Sequence, residues 1–260
     1  TVNVPTVRTG VDQTFEINEA AIDGVDTQRV TIEMGAGKLD VSGGTDQLVE
    51  GSIRYNVSSW MPTITRASEE IIVSQRNNSN VGFPDGDIVN EWDLQLGDFP
   101  IDLTLSTGAY EGNLDLSGLA ITNLSISDGA SKATVEFNSL NPIEMQRLTY
   151  KTGASDVDLL GLGNANVKEI IFESGVGSYT LDFSGDLQQD VNVSASSGMS
   201  DLTILIPDGT QARVTISGGL SNVDATGTWT INGSTYTCGD SGPMITIRLD
   251  MGLGNLTLRQ

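Results

Sequence analysis

The chain has 260 residues, with 13 Lys and Arg against 34 Asp and Glu (formal net charge −21), no histidine and a single cysteine, Cys238. Without histidine there is no Ser-His-Asp triad, no Cys-His dyad, no His-ligated zinc and no imidazole base; one cysteine makes neither an internal disulfide nor a CxxC pair. So negative a chain argues against the phosphate backbone of nucleic acid or an anionic membrane surface as partner. Hydrophobic residues make up 38% of the sequence and glycine 30 positions, an apolar share below the usual ~45–50% and a glycine share above the ~7% norm. The apolar residues are periodic, however, which is the mark of a folded chain. No apolar run approaches the ~18 residues that span a bilayer. The chain starts at Thr1 without a basic or apolar leader, so a processed or truncated chain is expected, its targeting or anchoring segment removed. Sequons at Asn56, Asn123, Asn192 and Asn255 are what an Asn-, Ser- and Thr-rich strand protein produces by chance.

Along the chain one pattern recurs: two alternating apolar residues, a glycine three positions later, then a second alternating apolar run. It first appears around Gly35, with Val30 and Ile32 before and Leu39 and Val41 after. The next stretch reads as alternating strands over 48–57, 71–75, 92–96 and 101–105, separated by turn-rich linkers at 77–80 and from Gly82 to Gly86. An antiparallel meander is predicted there, with Trp60, Trp92, Phe83 and Phe99 as its own small core. The repeat returns imperfectly at Gly108 and then at Gly129, Gly153, Gly175, Gly198, Gly219 and Gly252. Before the last of these, Trp229 to Tyr236 contains Asn232-Gly233 between alternating residues, a two-residue hairpin signal. The only weak helix candidate is 142–148.

Intervals of 21 to 24 residues from Gly108 to Gly219 predict units of two short strands bent at the glycine. One such unit cannot bury its apolar stripe, whereas a stack makes a continuous column in which Ile126, Tyr150 and Phe172 lie on top of one another. Successive strands would pair in parallel about 4.8 Å apart, with a right-handed wind. The glycine is explained by a positive φ at the corner or by close backbone approach. The meander and the hairpin would cap edges that otherwise polymerise. The fold expected is therefore all-β: a right-handed parallel β-solenoid of about eight Gly-cornered coils, with an N-terminal antiparallel meander insertion and a C-terminal hairpin cap. Residues 1–107 would hold the N-terminal strand, first coil and meander, and residues 108–260 the solenoid and its cap.

The segments 31–50 (TIEMGAGKLDVSGGTDQLVE) and 90–119 (NEWDLQLGDFPIDLTLSTGAYEGNLDLSGL) resemble the toast-rack domain of bacterial cell-envelope proteins. That family includes the C-terminal part of LiaF-type cell-wall-stress proteins and the related "putative adhesin" β-solenoids. The resemblance runs from about Val30 to Leu258 and implies an extracytoplasmic bacterial module, often tethered by a membrane or lipid anchor. It carries no catalytic residues over. The chain departs from the LiaF type in having no membrane-spanning part.

The outward residues after each glycine include Lys38, Asp40, Asp115, Lys132, Asp156, Asp158, Asp201 and Asp224. In chain-order register Asp158 would lie between Thr134 and Thr180, and Asp201 between Ser178 and Asn222. Carboxylates interleaved with Thr, Ser, Asn and Lys make a solvated face, whereas a glycosidase needs two carboxyls ~5–9.5 Å apart in a cleft. Only Asp156 and Asp158 near Lys132 come close to such a pair. Asp156, Asp158 and Asp201 also offer hard oxygen ligands for calcium, but the Gly-Gly-x-Gly-x-Asp repeat and EF-hand loops are absent. Gly35-Ala-Gly37-Lys38 lacks the ending and helix of a phosphate loop. Trp60, Trp92, Phe83 and Tyr55 read as core before they read as a sugar platform. Cys238 reads as buried or incidental. Outward Thr31, Thr104, Thr149 and Thr215 hint at an ice-binding ladder that Ser125, Ile171, Ser194 and Arg248 interrupt.

The function expected is that of a non-enzymatic, extracytoplasmic, adhesin-like interaction module that binds a protein or glycan at the cell envelope. No catalytic residue, metal ligand or cofactor is assigned. Nucleic acid is not expected as a partner, and the membrane only through an anchor outside this chain. The alternatives are a regulatory or sensing domain of an envelope-stress response and a carbohydrate-active β-helix enzyme using paired carboxylates.

Overall fold

The glycine-centred repeats form long strands that continue through the bend. The computed structural model describes residues 6–75, 83–85, 87–219 and 222–260. In order these form β1 (Thr6–Arg8), β2 (Gln13–Glu19), β3 (Gln28–Thr45), β4 (Val49–Tyr55), β5 (Pro62–Arg66) and β6 (Glu70–Gln75). Then come β7 (Phe83–Asp85), β8 (Asn90–Gly97), β9 (Ile101–Asp115), β10 (Ile121–Glu136), β11 (Met145–Leu160) and β12 (Val167–Asp182). The last are β13 (Val191–Leu205), β14 (Gln211–Gly218), β15 (Asn222–Thr226), β16 (Thr230–Asn232), β17 (Thr235–Cys238) and β18 (Met244–Arg259). Among the described residues the only helical element is a 3₁₀ turn at Ser58–Trp60. The weak helix candidate at 142–148 is instead a return turn that enters β11, because Met145, Leu148 and Tyr150 must all reach the core.

β11 shows how the repeat works. Leu148, Tyr150 and Thr152 point inward before Gly153; Ser155, Val157 and Leu159 point inward after it, and Gly153 and Ala154 are both exposed. The inward phase therefore shifts by one residue at the glycine, which turns the strand. Sixteen residues run straight would cover about 53 Å. The return segment 161–166 reaches at most about 25 Å. The strand must fold toward itself, so each repeat is a bent ribbon whose two arms enclose apolar side chains.

The repeat glycines show which of the two sequence explanations holds. None of Gly35, Gly108, Gly129, Gly153, Gly175, Gly198, Gly219 or Gly252 has a positive φ. Apart from Gly35, whose Cβ would meet the Gln75 side chain at 3.4 Å, each fits against the glycine carbonyl of a neighbouring ribbon instead. A Cβ on Gly108 would lie 2.3 Å from Gly35 O, one on Gly153 2.4 Å from Gly129 O, and one on Gly175 2.3 Å from Gly153 O. Close backbone approach, not left-handed geometry, excludes a side chain.

A 16-stranded sheet runs β16-β17-β14-β18-β13-β12-β11-β10-β9-β3-β8-β4-β2, and the pairs from β3 through β9–β13 to β18 and β14 are parallel. Ile126 pairs in register with Tyr150, and Tyr150 with Phe172. The rings of Tyr150 and Phe172 are 6.0 Å apart, and Phe172 meets Tyr179 edge-on at 5.3 Å. Ala195 follows Phe172 in the column and makes room for it. Asparagines tie the return turns together: buried Asn141 donates to Ile121 O (2.8 Å), and Asn164 donates to Phe137 O (2.8 Å).

Three features of the stack differ from the chain-order reading. β18 inserts between β13 and β14, so the last repeat lies inside the stack and the Gly219 repeat outside it. The Gly219 repeat is divided between β14 and β15, which pair with the two arms of β18. At the other end the segment expected as an antiparallel meander is mixed: β6 and β8 run parallel to the two arms of β3, while β4 is antiparallel to both β8 and β2. The linker at 77–80, Gly82, Gly86 and the side chain of Phe83 lie outside the described residues. Trp92 does not form a separate core; it is fully buried in the same apolar column as Phe172 and Leu249. The expected C-terminal hairpin β16–β17 forms, but its two-residue loop is Gly233-Ser234, one residue past the Asn232-Gly233 signal, and Asn232 pairs with Thr235 inside the ladder. It lies antiparallel on β14 and covers that edge.

Candidate functional site

The two arms of the stack carry different charges. Outward on the second arm stand Asp40, Asp93, Glu111, Asp115, Glu136, Asp156, Asp158 and Asp201, with few cations among them. Outward on the first arm stand Arg29, Arg147, Lys151, Lys168, Arg213 and Arg248, balanced by Glu33, Glu70, Asp102, Glu169, Glu173 and Asp250. Nearly half of the chain's 13 basic residues therefore face one side.

On that side Asn123, Gln146, Arg147, Lys168, Glu169, Asn192 and Arg248 line an open groove of about 610 Å³. They come from β10, β11, β12, β13 and β18, neighbouring interior strands whose backbones are paired on both sides. Arg147 Nε donates to Glu169 at 2.7 Å, and Lys168 Nζ sits 2.6 Å from Glu144. Among the described residues Arg248 makes no hydrogen bond and no ion pair, so its guanidinium is free. These ion pairs are exposed on both partners and contribute little stability.

Inside the bend lies a second polar constellation that the sequence reading missed. Asp128 is 8% exposed. Its Oδ2 accepts from Tyr150 OH (2.9 Å) and Ser131 Oγ (3.1 Å), and its Oδ1 from Ser155 Oγ (3.2 Å) and from Thr152 Oγ1. Tyr110 and Tyr150 hydroxyls are 3.3 Å apart. Burial holds both tyrosine hydroxyls well above the usual tyrosine range, and the nearby Asp128 charge adds to this. The position before each glycine reads Met34, Thr107, Asp128, Thr152, Ser174, Ser197, Gly218 and Met251, so a lone acid in an otherwise neutral row was the available signal. Four hydroxyl donors make this a structural anion, fully occupied by the protein.

The acids weighed from sequence stay apart in role. Asp156 is in register with Lys132 and accepts from Ser178 N (3.2 Å); Asp158 lies between Thr134 and Thr180, and both acids are exposed. Asp201 lies between Ser178 and Asn255 rather than Asn222, because β18 intervenes, and Asn255 Nδ2 donates to it at 2.7 Å. Among the described residues no three Asp, Glu or Cys side chains are grouped as a metal site would need. Gly35 to Lys38 lies within β3, with no helix after it. Trp92 is fully buried and donates Nε1 to Asn90 Oδ1 (2.9 Å), and Tyr55 is buried, so neither presents a sugar platform. Cys238 is buried and unpaired, and burial pushes its thiol up. The Thr31 row keeps its members but not its chain order, because Arg248 stands between Ser194 and Thr215. Val176, Met199 and Leu253, in register on the outer edge of the bend, are about half exposed.

A bent-ribbon stack of mostly parallel strands with polar outer faces defines a β-solenoid-like fold. Residues 8–142 and 140–205 match the family model of the N-terminal domain of toast_rack (DUF2154). The chain belongs to the toast-rack family. The chain is also similar to a solved structure from Clostridium sporogenes described as a "putative cell adhesion protein", at 20% identity and TM-score 0.53, covering 96% of this chain and 99% of that one. A second, a "putative adhesin" from Bacteroides fragilis, is 13% identical with TM-score 0.52, covering 97% and 99%. At these identities the likeness is one of fold. No curated protein matches the sequence. No helix among the described residues is long and apolar enough to cross a membrane.

Proposed function

We propose that the chain is a non-enzymatic, extracytoplasmic interaction module that acts in an adhesin-like way at the bacterial cell envelope. The observation that carries this reading is the cationic, amide-lined groove on an otherwise acidic molecule, set on interior strands that cannot move independently. A rigid sheet face presents side chains at fixed spacing, which suits recognition of an extended partner. The adhesion-related descriptions of the two structural relatives support the same reading. The exposed setting of Asp156 and Asp158 supports a non-catalytic role, since an acid catalyst needs a desolvated carboxyl. A right-handed wind, a count of about eight coils and a working division into residues 1–107 and 108–260 belong to the same proposal.

The test is to immobilise the full chain and measure binding to envelope polysaccharides and to whole bacterial cells, with reducing-end assays run in parallel. Saturable binding without release of reducing ends is the expected result. Hydrolysis lost in Asp156→Asn or Asp158→Asn would overturn the proposal in favour of an enzyme.

A further inference from the structure

We propose that the first-arm groove is a binding site for a carboxylated polysaccharide of the polyuronate class, with Arg248 as the residue that reads the carboxylate. This deepens the interaction-module reading and rests on it. The free Arg248 guanidinium is the first observation: five donors in a planar fork, matched to carboxylate geometry, with no protein acceptor among the described residues. Arg147 is the second. Among the described residues its one hydrogen bond leaves through Nε to Glu169, so the terminal Nη donors of this lining residue are unspent.

The remaining lining selects a sugar over a peptide. Asn123 and Asn192 each carry a donor and an acceptor, the pairing that vicinal hydroxyls accept and return, while Gln146 Nε2 already donates to Glu144 at 2.6 Å. A peptide recognised by strand addition needs an exposed sheet edge, and every strand under the groove is paired on both sides. A peptide held by anchors needs apolar pockets, and all seven lining residues are polar or charged. Parallel strands lie ~4.8 Å apart, a repeat close to the length of one pyranose ring, so successive sugars of an extended chain would meet successive strands.

The net charge of −21 does not forbid an anionic ligand here. The second arm carries the acidic excess, while in the groove itself Arg147, Lys168 and Arg248 stand against Glu169. Arg147 and Lys168 are paired with Glu169 and Glu144, so Arg248, with no ion-pair partner among the described residues, leaves the groove locally positive.

The experiment is calorimetric titration of the full chain with polygalacturonate, with fully methyl-esterified polygalacturonate and with poly-glutamate at matched charge. Preferential binding of polygalacturonate over both is expected. Arg248→Gln should weaken it about tenfold or more at unchanged thermal stability, and Asp158→Asn on the far face should leave it unchanged. Equal affinity for the methyl ester would overturn the carboxylate assignment, equal affinity for poly-glutamate would overturn the sugar assignment, and undiminished binding by Arg248→Gln would overturn the groove. The two readings fail separately: release of reducing ends from polygalacturonate would refute the non-enzymatic module while leaving the groove. Binding of other envelope polymers that Arg248→Gln does not change would refute the groove while leaving the module.

Discussion

Replacing Gly175 by alanine tests the packing principle of the whole stack. The glycine has no positive φ, so alanine meets no backbone strain there. Alanine elsewhere gains about 0.4–1 kcal/mol by restricting the unfolded chain. Against this, its Cβ would lie 2.3 Å from Gly153 O. That carbonyl belongs to an interior strand paired on both sides, so neither ribbon can withdraw without loosening its other ladder. Overpacking of this kind costs about 1–3 kcal/mol. The net expectation is a loss of about 1–2 kcal/mol, read as a fall in Tm of about 2–8 °C for a chain of this size. Gly10→Ala is the matched control, since its Cβ would meet Asn56 O at an ordinary 3.5 Å and its φ is not positive. It should leave Tm unchanged or raise it slightly. Thermal unfolding followed by circular dichroism, repeated in guanidinium, measures both. If Gly175→Ala melts at or above the parent chain, close approach of the glycines is not what excludes a side chain.

Asp128→Ala should destabilise by about 3 kcal/mol or more in denaturant titration, because the buried Tyr150, Thr152 and Ser155 hydroxyls lose a charged acceptor. Burial, together with the charges of Asp93, Glu111 and Glu91, holds the Asp40 carboxyl above the usual carboxylate range despite Lys38. The folded chain then binds that proton more tightly than the unfolded chain, so the group costs stability at neutral pH and ceases to as pH falls through the raised value. Asp40→Asn should therefore stabilise at neutral pH by less than about 1 kcal/mol and lose the advantage toward the ordinary carboxylate range, as melts across pH would show. Cys238, buried with its thiol pushed up, should resist a thiol reagent in the native protein and react fully once guanidinium unfolds the cap.

How far the sequence reveals this molecule depends on whether a feature is local to one repeat. Period-two alternation around each glycine placed Ile126, Tyr150 and Phe172 in one column because every repeat carries the same instruction. It could not order repeats that are not consecutive. Nothing in the residues of β18 says that it enters between β13 and β14, and so Asp201 was given Asn222 as a neighbour where Asn255 stands. The mixed N-terminal pairing was hidden for a related reason. β6 and β8 are short alternating strands whose pattern fits a parallel or an antiparallel partner equally well. Asp128 was legible in principle, as one acid in an otherwise neutral row, but only after the inward phase before each glycine is known to be buried.

The groove joins these two kinds of information. Four of its strands are consecutive in chain and sheet, so Asn123, Arg147, Lys168 and Asn192 come together simply by stacking. Arg248 does not. In chain order the neighbour of Ser194 would be Thr215, and the row would close on hydroxyls of the kind that suggested an ice-binding ladder. The insertion of β18 replaces that threonine with a guanidinium at the same rung and moves Thr215 one strand outward. The C-terminal strand thus does two things in one placement. It buries Ile247, Leu249, Leu256 and Leu258 in the column, and it adds to the groove a guanidinium that makes no hydrogen bond or ion pair among the described residues. What read in sequence as an interruption of the repeat is, in the folded stack, the group best placed to meet something outside it.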